Sequence, residues 1–165
     1  MATAQRIRVL LADDHELVRQ SVRGLLQGYP NIEIIGEASD GEETVANAAS
    51  LQPAVVVMDI NMPRMDGITA TRLLKAQNPQ IVVVGLSHHP KDYEVHALQQ
   101  AGASEVLKKD NVTIDLYGAI QRAVAAVQPV VILEENPIAK KSSEGSERSE
   151  KPASTEPLPI KESKI

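Results

Sequence analysis

The sequence predicts an α/β domain, a (βα)5 doubly wound parallel sheet of five strands over residues 1–128, followed by a disordered C-terminal tail over 129–165. Three observations carry this. Short β-branched runs alternate five times with longer segments of helical period, the pattern of repeated βα units. Two of those runs, AVVVM and IVVVGL, are almost wholly apolar, which suits strands covered by helices on both faces of a sheet. Near residue 134 the apolar period gives way to EENPIAKKSSEGSERSEKPASTEPLPIKESKI, whose Ser, Glu, Lys and Pro leave little to bury.

The elements follow in order. A first strand is expected at Ile7–Ala12 and a first helix at His15–Gln27. In that helix Leu17, Val18, Val22, Leu25 and Leu26 recur at helical spacing as one apolar stripe, leaving Arg19, Gln20 and Arg23 for solvent. A second strand is expected at Ile32–Ala38, and Asp40-Gly41 supplies the turn and cap that open a helix at Gly41–Ser50. Ala54–Met58 reads as a third strand, and Asp66-Gly67 opens a helix at Gly67–Gln77 that Asn78-Pro79 closes. A fourth strand at Ile81–Leu86 leads to a helix at Lys91–Ala101. A weaker fifth strand, Glu105–Leu107, precedes a last helix at Thr113–Val127, with the Thr113 hydroxyl as its cap and Pro129 as its stop.

Composition narrows the chemistry. A chain of 165 residues suits one domain, and without Phe or Trp its core must be aliphatic. The absence of Cys removes thiol nucleophiles, disulfides, thiolate zinc sites and iron–sulfur clusters. A net charge of −5 argues against electrostatic capture of nucleic acid or of an anionic membrane surface. The N-terminus lacks the apolar core of an export signal, and no run approaches the ~20 apolar residues of a membrane helix. A cytoplasmic protein is expected.

Open parallel sheets collect ligands at the carboxyl ends of their strands, so the residues at those ends are the first candidates. Here they are Asp13-Asp14 after the first strand, Asp59 after the third, Ser87 after the fourth and Lys108-Lys109 after the fifth. Three carboxylates on one rim repel one another unless a cation joins them. A hard divalent ion with oxygen ligands, Mg²⁺ above all, fits that need, and with the lysine and the hydroxyl it makes a phosphate site.

Asp13-Asp14, the segment MDINMPRMDG at 58–67, Ser87 and Lys109 together resemble the signature of the response-regulator receiver domain of bacterial two-component signalling. The resemblance spans residues 6–127, and ADDHELVRQSVRGLL is similar to receivers of the NarL/FixJ type, which usually precede a helix-turn-helix output domain. No such output domain is found in the sequence, so a single-domain, flavodoxin-like receiver is expected.

The resemblance implies that Asp59 is the phosphoacceptor, taking its phosphoryl group from a histidine kinase, a phosphotransfer protein or a small acyl phosphate. It implies that Asp14 and Asp59 ligate Mg²⁺ with the Asn61 backbone carbonyl, while Asp13 acts through water. Lys109 would pair with Asp59 and then with the phosphoryl group, which Ser87 would also hydrogen-bond. His89, with Asn61, would tune dephosphorylation, whereas His15 and His96 read as structural or exposed. The departure is Val106, at a position where receivers usually carry Tyr or Phe; Ser87 and Val106 would form the switch. Output is expected through a protein partner or a homodimer at the face of the fourth helix, fifth strand and fifth helix. The expected module is a phosphoacceptor and not a turnover enzyme. A Mg²⁺-dependent phosphatase is disfavoured by Asn61 and by the compact size, and a phosphorylation-independent pseudo-receiver interaction domain is the alternative.

Overall fold

Strands β1 (Ile7–Ala12), β2 (Ile32–Ala38), β3 (Val55–Asp59), β4 (Val82–Ser87) and β5 (Glu105–Lys108) alternate with helices α1 (Glu16–Leu26), α2 (Gly41–Leu51), α3 (Gly67–Gln77), α4 (Asp92–Gln100) and α5 (Val112–Val127). The computed structural model describes residues 5–127. The tail expected over 129–165, and the stop assigned to Pro129, lie outside the described residues. The five strands form one sheet in the order β2-β1-β3-β4-β5, with every neighbouring pair parallel. This is the doubly wound arrangement that the alternation predicts.

Position in the sheet follows composition. The apolar runs VVVMD and VVVGLS occupy β3 and β4, where every residue is buried, while the more polar β2 and β5 take the edges. Successive side chains point to opposite faces, so each strand feeds two cores. Val9, Leu11, Val57 and Val84 pack with Val22 and Leu26 of α1 and Leu116 and Ile120 of α5. Leu10, Val56, Met58 and Val83 pack with Ala48 of α2, Ala70 and Leu74 of α3 and Leu98 of α4. With no Phe or Trp in the chain, these layers are filled by branched aliphatics.

The chain passes from β1 outward to β2 and returns to β3 on the other side of β1, so the winding reverses between β1 and β3. Two diverging connections leave a crevice above the carboxyl ends of those strands. Asp13 and Asp59 are set at that crevice by the register Ala12↔Met58.

Several boundaries differ from the sequence expectation, each for a tertiary reason. Strands β3, β4 and β5 run one residue further, through Asp59, Ser87 and Lys108, because Asp59 pairs with Leu86 and Ser87 with Lys108 in the ladder. Helix α5 begins at Val112 after a 3-10 turn at Lys109–Asn111, so Thr113 lies inside the helix and is not its cap. In α1, Leu17 is 76% exposed and does not join the buried stripe. Arg19 and Arg23 are not left to solvent either, since both reach Glu37 of β2. The Asp caps behave as expected: Asp40 accepts from the Glu43 backbone N–H at 2.8 Å and Asp66 from that of Thr69 at 2.7 Å. Among the described residues, no helix is long and apolar enough to cross a membrane.

Gly67 ties the loop after β3 back to the sheet. Its N–H donates to the Ile60 carbonyl at 2.8 Å, and a Cβ on it would overlap the Asp59 carbonyl oxygen. That neighbour is backbone and cannot swing aside. We expect Gly67→Ala to cost about 1–3 kcal/mol, as overpacking does, read as a lower urea midpoint with unchanged slope.

Candidate functional site

The site is assembled from the ends of β1, β3, β4 and β5. As the chain leaves β1, Asp13 Oδ1 accepts the His15 backbone N–H at 2.9 Å, and His15 takes the N-cap position of α1. Arg19, one turn into that helix, donates from Nη1 to the Asp13 carbonyl at 2.6 Å and from Nε to Glu37 at 2.9 Å. Arg23 donates to the other Glu37 oxygen at 2.7 Å. Burial pushes the Glu37 carboxyl up, but the hydrogen bonds and charges of the two arginines hold it below the usual carboxylate range. The acid pair is thereby anchored to α1 and, through Glu37, to β2.

Asp59 ends β3 and is only 4% exposed. Its carboxyl is pushed up to about 6, first by burial and then by the Asp13 charge, against the pull of Lys109 and the Asn61 backbone N–H. Lys109, in the 3-10 turn after β5, reaches into the same space with its side chain 4% exposed. Its ammonium lies 2.6 Å from Asp13 Oδ2 and 3.2 Å from Asp59 Oδ1. It therefore bridges both carboxylates, nearer to Asp13 than to the Asp59 partner expected from sequence. The contact with Asp13 is an ion pair by distance without hydrogen-bond alignment, so the ammonium keeps donors to offer elsewhere.

Ser87 is buried at the end of β4 and opens, with Asp59, Lys109, Asn61, His88 and His89, onto a cleft of about 330 Å³. Asn61 and His89 are exposed at its mouth. Val106 does not line this cleft. It is half-buried in β5 against the apolar layer under α3 and α4, beside Gly85. His96 is exposed on α4, as expected.

A cation fits this donor set. One ligand atom each from Asp13, Asp14, His15 and Asp59 lies within 4.8 Å of the others. Three carboxylates face one ammonium there, which leaves negative charge uncompensated, while burial and then the Asp13 charge keep the Asp59 carboxyl raised. A divalent ion with oxygen ligands answers both conditions.

Three contributors were not read from the sequence as parts of the site. His15 places Nδ1 at 2.9 Å from Asp14 and 3.3 Å from Asp13; its position directly after the acid pair was the available signal. The Arg19–Glu37 link joins residues far apart in the chain and carries no local motif. Arg64, with φ at +62°, pairs with the fully buried Asp40 and so ties the loop after Asp59 to the start of α2.

A family model for the response regulator receiver domain matches residues 9–121. The chain is 43% identical over 119 residues to the transcriptional regulatory protein LiaR of Bacillus subtilis, covering 71% of this chain and 56% of LiaR. It thus spans little more than half the length of that relative. It is 34% identical over 141 residues to the response regulator protein VraR of Staphylococcus aureus, covering 84% of this chain and 68% of VraR. Among solved structures, the response regulator domain of Thermotoga maritima CheB superposes with a TM-score of 0.70 at 28% identity, covering 76% of this chain and 100% of that one.

The raised Asp59 carboxyl sets a pH dependence of stability in the metal-free protein. A carboxyl whose folded value lies above its unfolded value favours folding below about pH 4, and that contribution is lost as pH rises through about 6. Asp59→Asn removes the loss. We expect thermal melts in chelator to show the variant more stable than wild type by on the order of 2 kcal/mol at pH 7, with the difference vanishing near pH 4.

Proposed function

Because the chain belongs to the response regulator receiver domain family, we propose that it is the phosphoacceptor module of a two-component phosphorelay, with Asp59 as the residue that takes the phosphoryl group. The observation that supports this most strongly is the buried Asp59 held between Asp13 and Lys109 at the point where the sheet reverses its winding.

In this proposal an Asp59 carboxylate oxygen attacks the phosphorus of a histidine kinase, a phosphotransfer protein or a small acyl phosphate. The P–N bond of the phosphohistidine, or the P–O bond of the acyl phosphate, breaks, and its electron pair leaves with the donor. Lys109, already 3.2 Å from Asp59, turns its unaligned donors to the phosphoryl oxygens, and the Ser87 hydroxyl donates a further hydrogen bond. Asp14, Asp59 and the Asn61 backbone carbonyl would hold Mg²⁺, with Asp13 acting through water. Bound there, the ion supplies charge neutralisation to the transferring group. His89 and Asn61, at the mouth of the cleft, would govern the approach of the water that later hydrolyses the aspartyl phosphate. Phosphoryl uptake and loss at Asp59 then make a switch and not a turnover enzyme.

The output we propose is a change in binding at the α4–β5–α5 face, to a protein partner or a second copy, in the cytoplasm. Ser87 ends β4, and Val106 lies opposite Gly85 in the adjoining strand, so movement at Ser87 would reach the face through this ladder. The net charge of −5 favours a protein over nucleic acid as the direct partner, while LiaR, of which this chain spans 56%, is named a transcriptional regulatory protein. A phosphorylation-independent interaction domain is the second reading, favoured by the small Val106 side chain.

Incubation with Mg²⁺ and acetyl phosphate, followed by intact mass, tests the two readings. We expect a phosphoryl adduct on the wild-type chain, none on Asp59→Asn, and a rate lower by on the order of a hundredfold for Lys109→Ala. A wild-type chain that takes up neither phosphoryl group nor beryllofluoride would establish the second reading.

A further inference from the structure

We infer that Arg64 is a positioning residue of the phosphoacceptor site: its ion pair with Asp40 clasps the loop after β3 to the start of α2 and so holds in place the Asn61 carbonyl proposed to ligate Mg²⁺. The inference rests on that reading of the Asp59 rim and gives it a control point outside the cleft, which Arg64 does not line.

The path of the loop is the first support. Ile60 donates from its N–H to the Leu86 carbonyl at 3.1 Å, and Gly67 donates to the Ile60 carbonyl at 2.8 Å, so both ends are tied at the end of β3. Ile60 and Met62 are buried, and Asn61 stands exposed between them. The far side, from Pro63 to Asp66, belongs to no strand or helix. It is held against α2 instead. Gly41 donates from its N–H to the Met65 carbonyl at 3.0 Å, and a Cβ on Gly41 would overlap that carbonyl. Beside this contact the Arg64 guanidinium pairs with Asp40.

Two features set the pair apart from an ordinary surface salt bridge. Arg64 has φ at +62°, a left-handed backbone that a residue with a Cβ keeps only where its surroundings over-determine it. Asp40 is fully buried, with Oδ1 accepting the Glu43 N–H at 2.8 Å as the cap of α2 and Oδ2 facing the Arg64 guanidinium. A neutral Ser or Asn would cap α2 as well. The buried negative charge is accounted for by the cation that meets it, since a carboxylate out of water needs a charged partner.

Asn61 thus lies on a short arc with the sheet at one end and the clasp at the other. A backbone carbonyl has no rotamer with which to adjust, so its reach toward an ion is set by where the loop is held. Groups that orient a metal ligand in this way commonly govern affinity by about tenfold or more.

Isothermal titration of the full chain with Mg²⁺, together with the Asn61 amide resonance in metal-free protein, tests this. Arg64→Ala and Asp40→Asn, the second of which keeps a capping side chain, should each raise the Mg²⁺ dissociation constant about tenfold and shift the Asn61 resonance. Arg64→Gly, relieved of the left-handed conformation, should lose affinity equally, because the ion pair and not the backbone carries the effect. Combining Arg64→Ala with Asp40→Asn should add little to either, and Arg64→Lys should restore affinity to within about threefold of wild type. Glu43→Ala removes the side chain that accepts from Ser39, weakening the start of α2 without touching the loop, and should leave both readouts unchanged. Mg²⁺ affinity indifferent to Arg64, additive effects of the two clasp variants, or an equal loss in Glu43→Ala overturns the inference and leaves the phosphoacceptor reading intact. A chain whose Mg²⁺ affinity follows the clasp but that takes no phosphoryl group at Asp59 would overturn only that reading.

Discussion

Asp13 and Asp59 bring two carboxylates into a rim largely closed to water, and the ammonium of Lys109 lies between them. Burial alone drives the Asp59 proton affinity up, and the Asp13 charge drives it further; Lys109 keeps the arrangement from being prohibitive. A buried ion pair of this kind is a poor source of stability, because desolvation of each charge offsets most of the attraction. Its value is chemical. Uncompensated charge beside an ammonium with unaligned donors is open to relief by a cation.

The rest of the fold supplies that rim and little else could. Buried β3 and β4 put Asp59 and Ser87 at the ends of adjoining central strands, with the Asp59↔Leu86 pairing fixing their relative height. β1, paired with β3, sets Asp13 beside them, and the turn after β5 carries Lys109 inward from the edge. The aliphatic layers on either face hold these strands in register. The reversal of winding between β1 and β3 keeps helices from covering the crevice.

Two links extend from the rim into the body of the domain. Through Arg19 and Glu37, the acid pair after β1 is fastened to α1 and β2. By way of Arg64 and Asp40, the loop after Asp59 is fastened to the start of α2. Both join side chains of opposite charge that lie well apart in the chain. On the other side, Gly85 leaves room for Leu98 and Val106 to meet behind Ser87. A small β-branched side chain at position 106 makes that joint a matter of aliphatic packing.

By itself, the sequence determined the element order, the parallel sheet and the residues at the strand ends. Hydrophobic period and turn chemistry are local properties that survive without a partner. Asp13, Asp14, Asp59, Ser87 and Lys109 were legible for the same reason, since each lies within two residues of the end of an apolar run. Tertiary structure alone decided what depends on neighbouring elements. Ladder pairing carried β3, β4 and β5 one residue past their apolar runs, and the 3-10 turn moved the start of α5 ahead of Thr113. The fates of Leu17, exposed, and of Arg19 and Arg23, drawn to Glu37, follow from which surface α1 presents to β2, and helical period cannot report that. His15 joined the rim, and Lys109 leaned toward Asp13, because side-chain direction and charge balance exist only once four strand ends share one crevice.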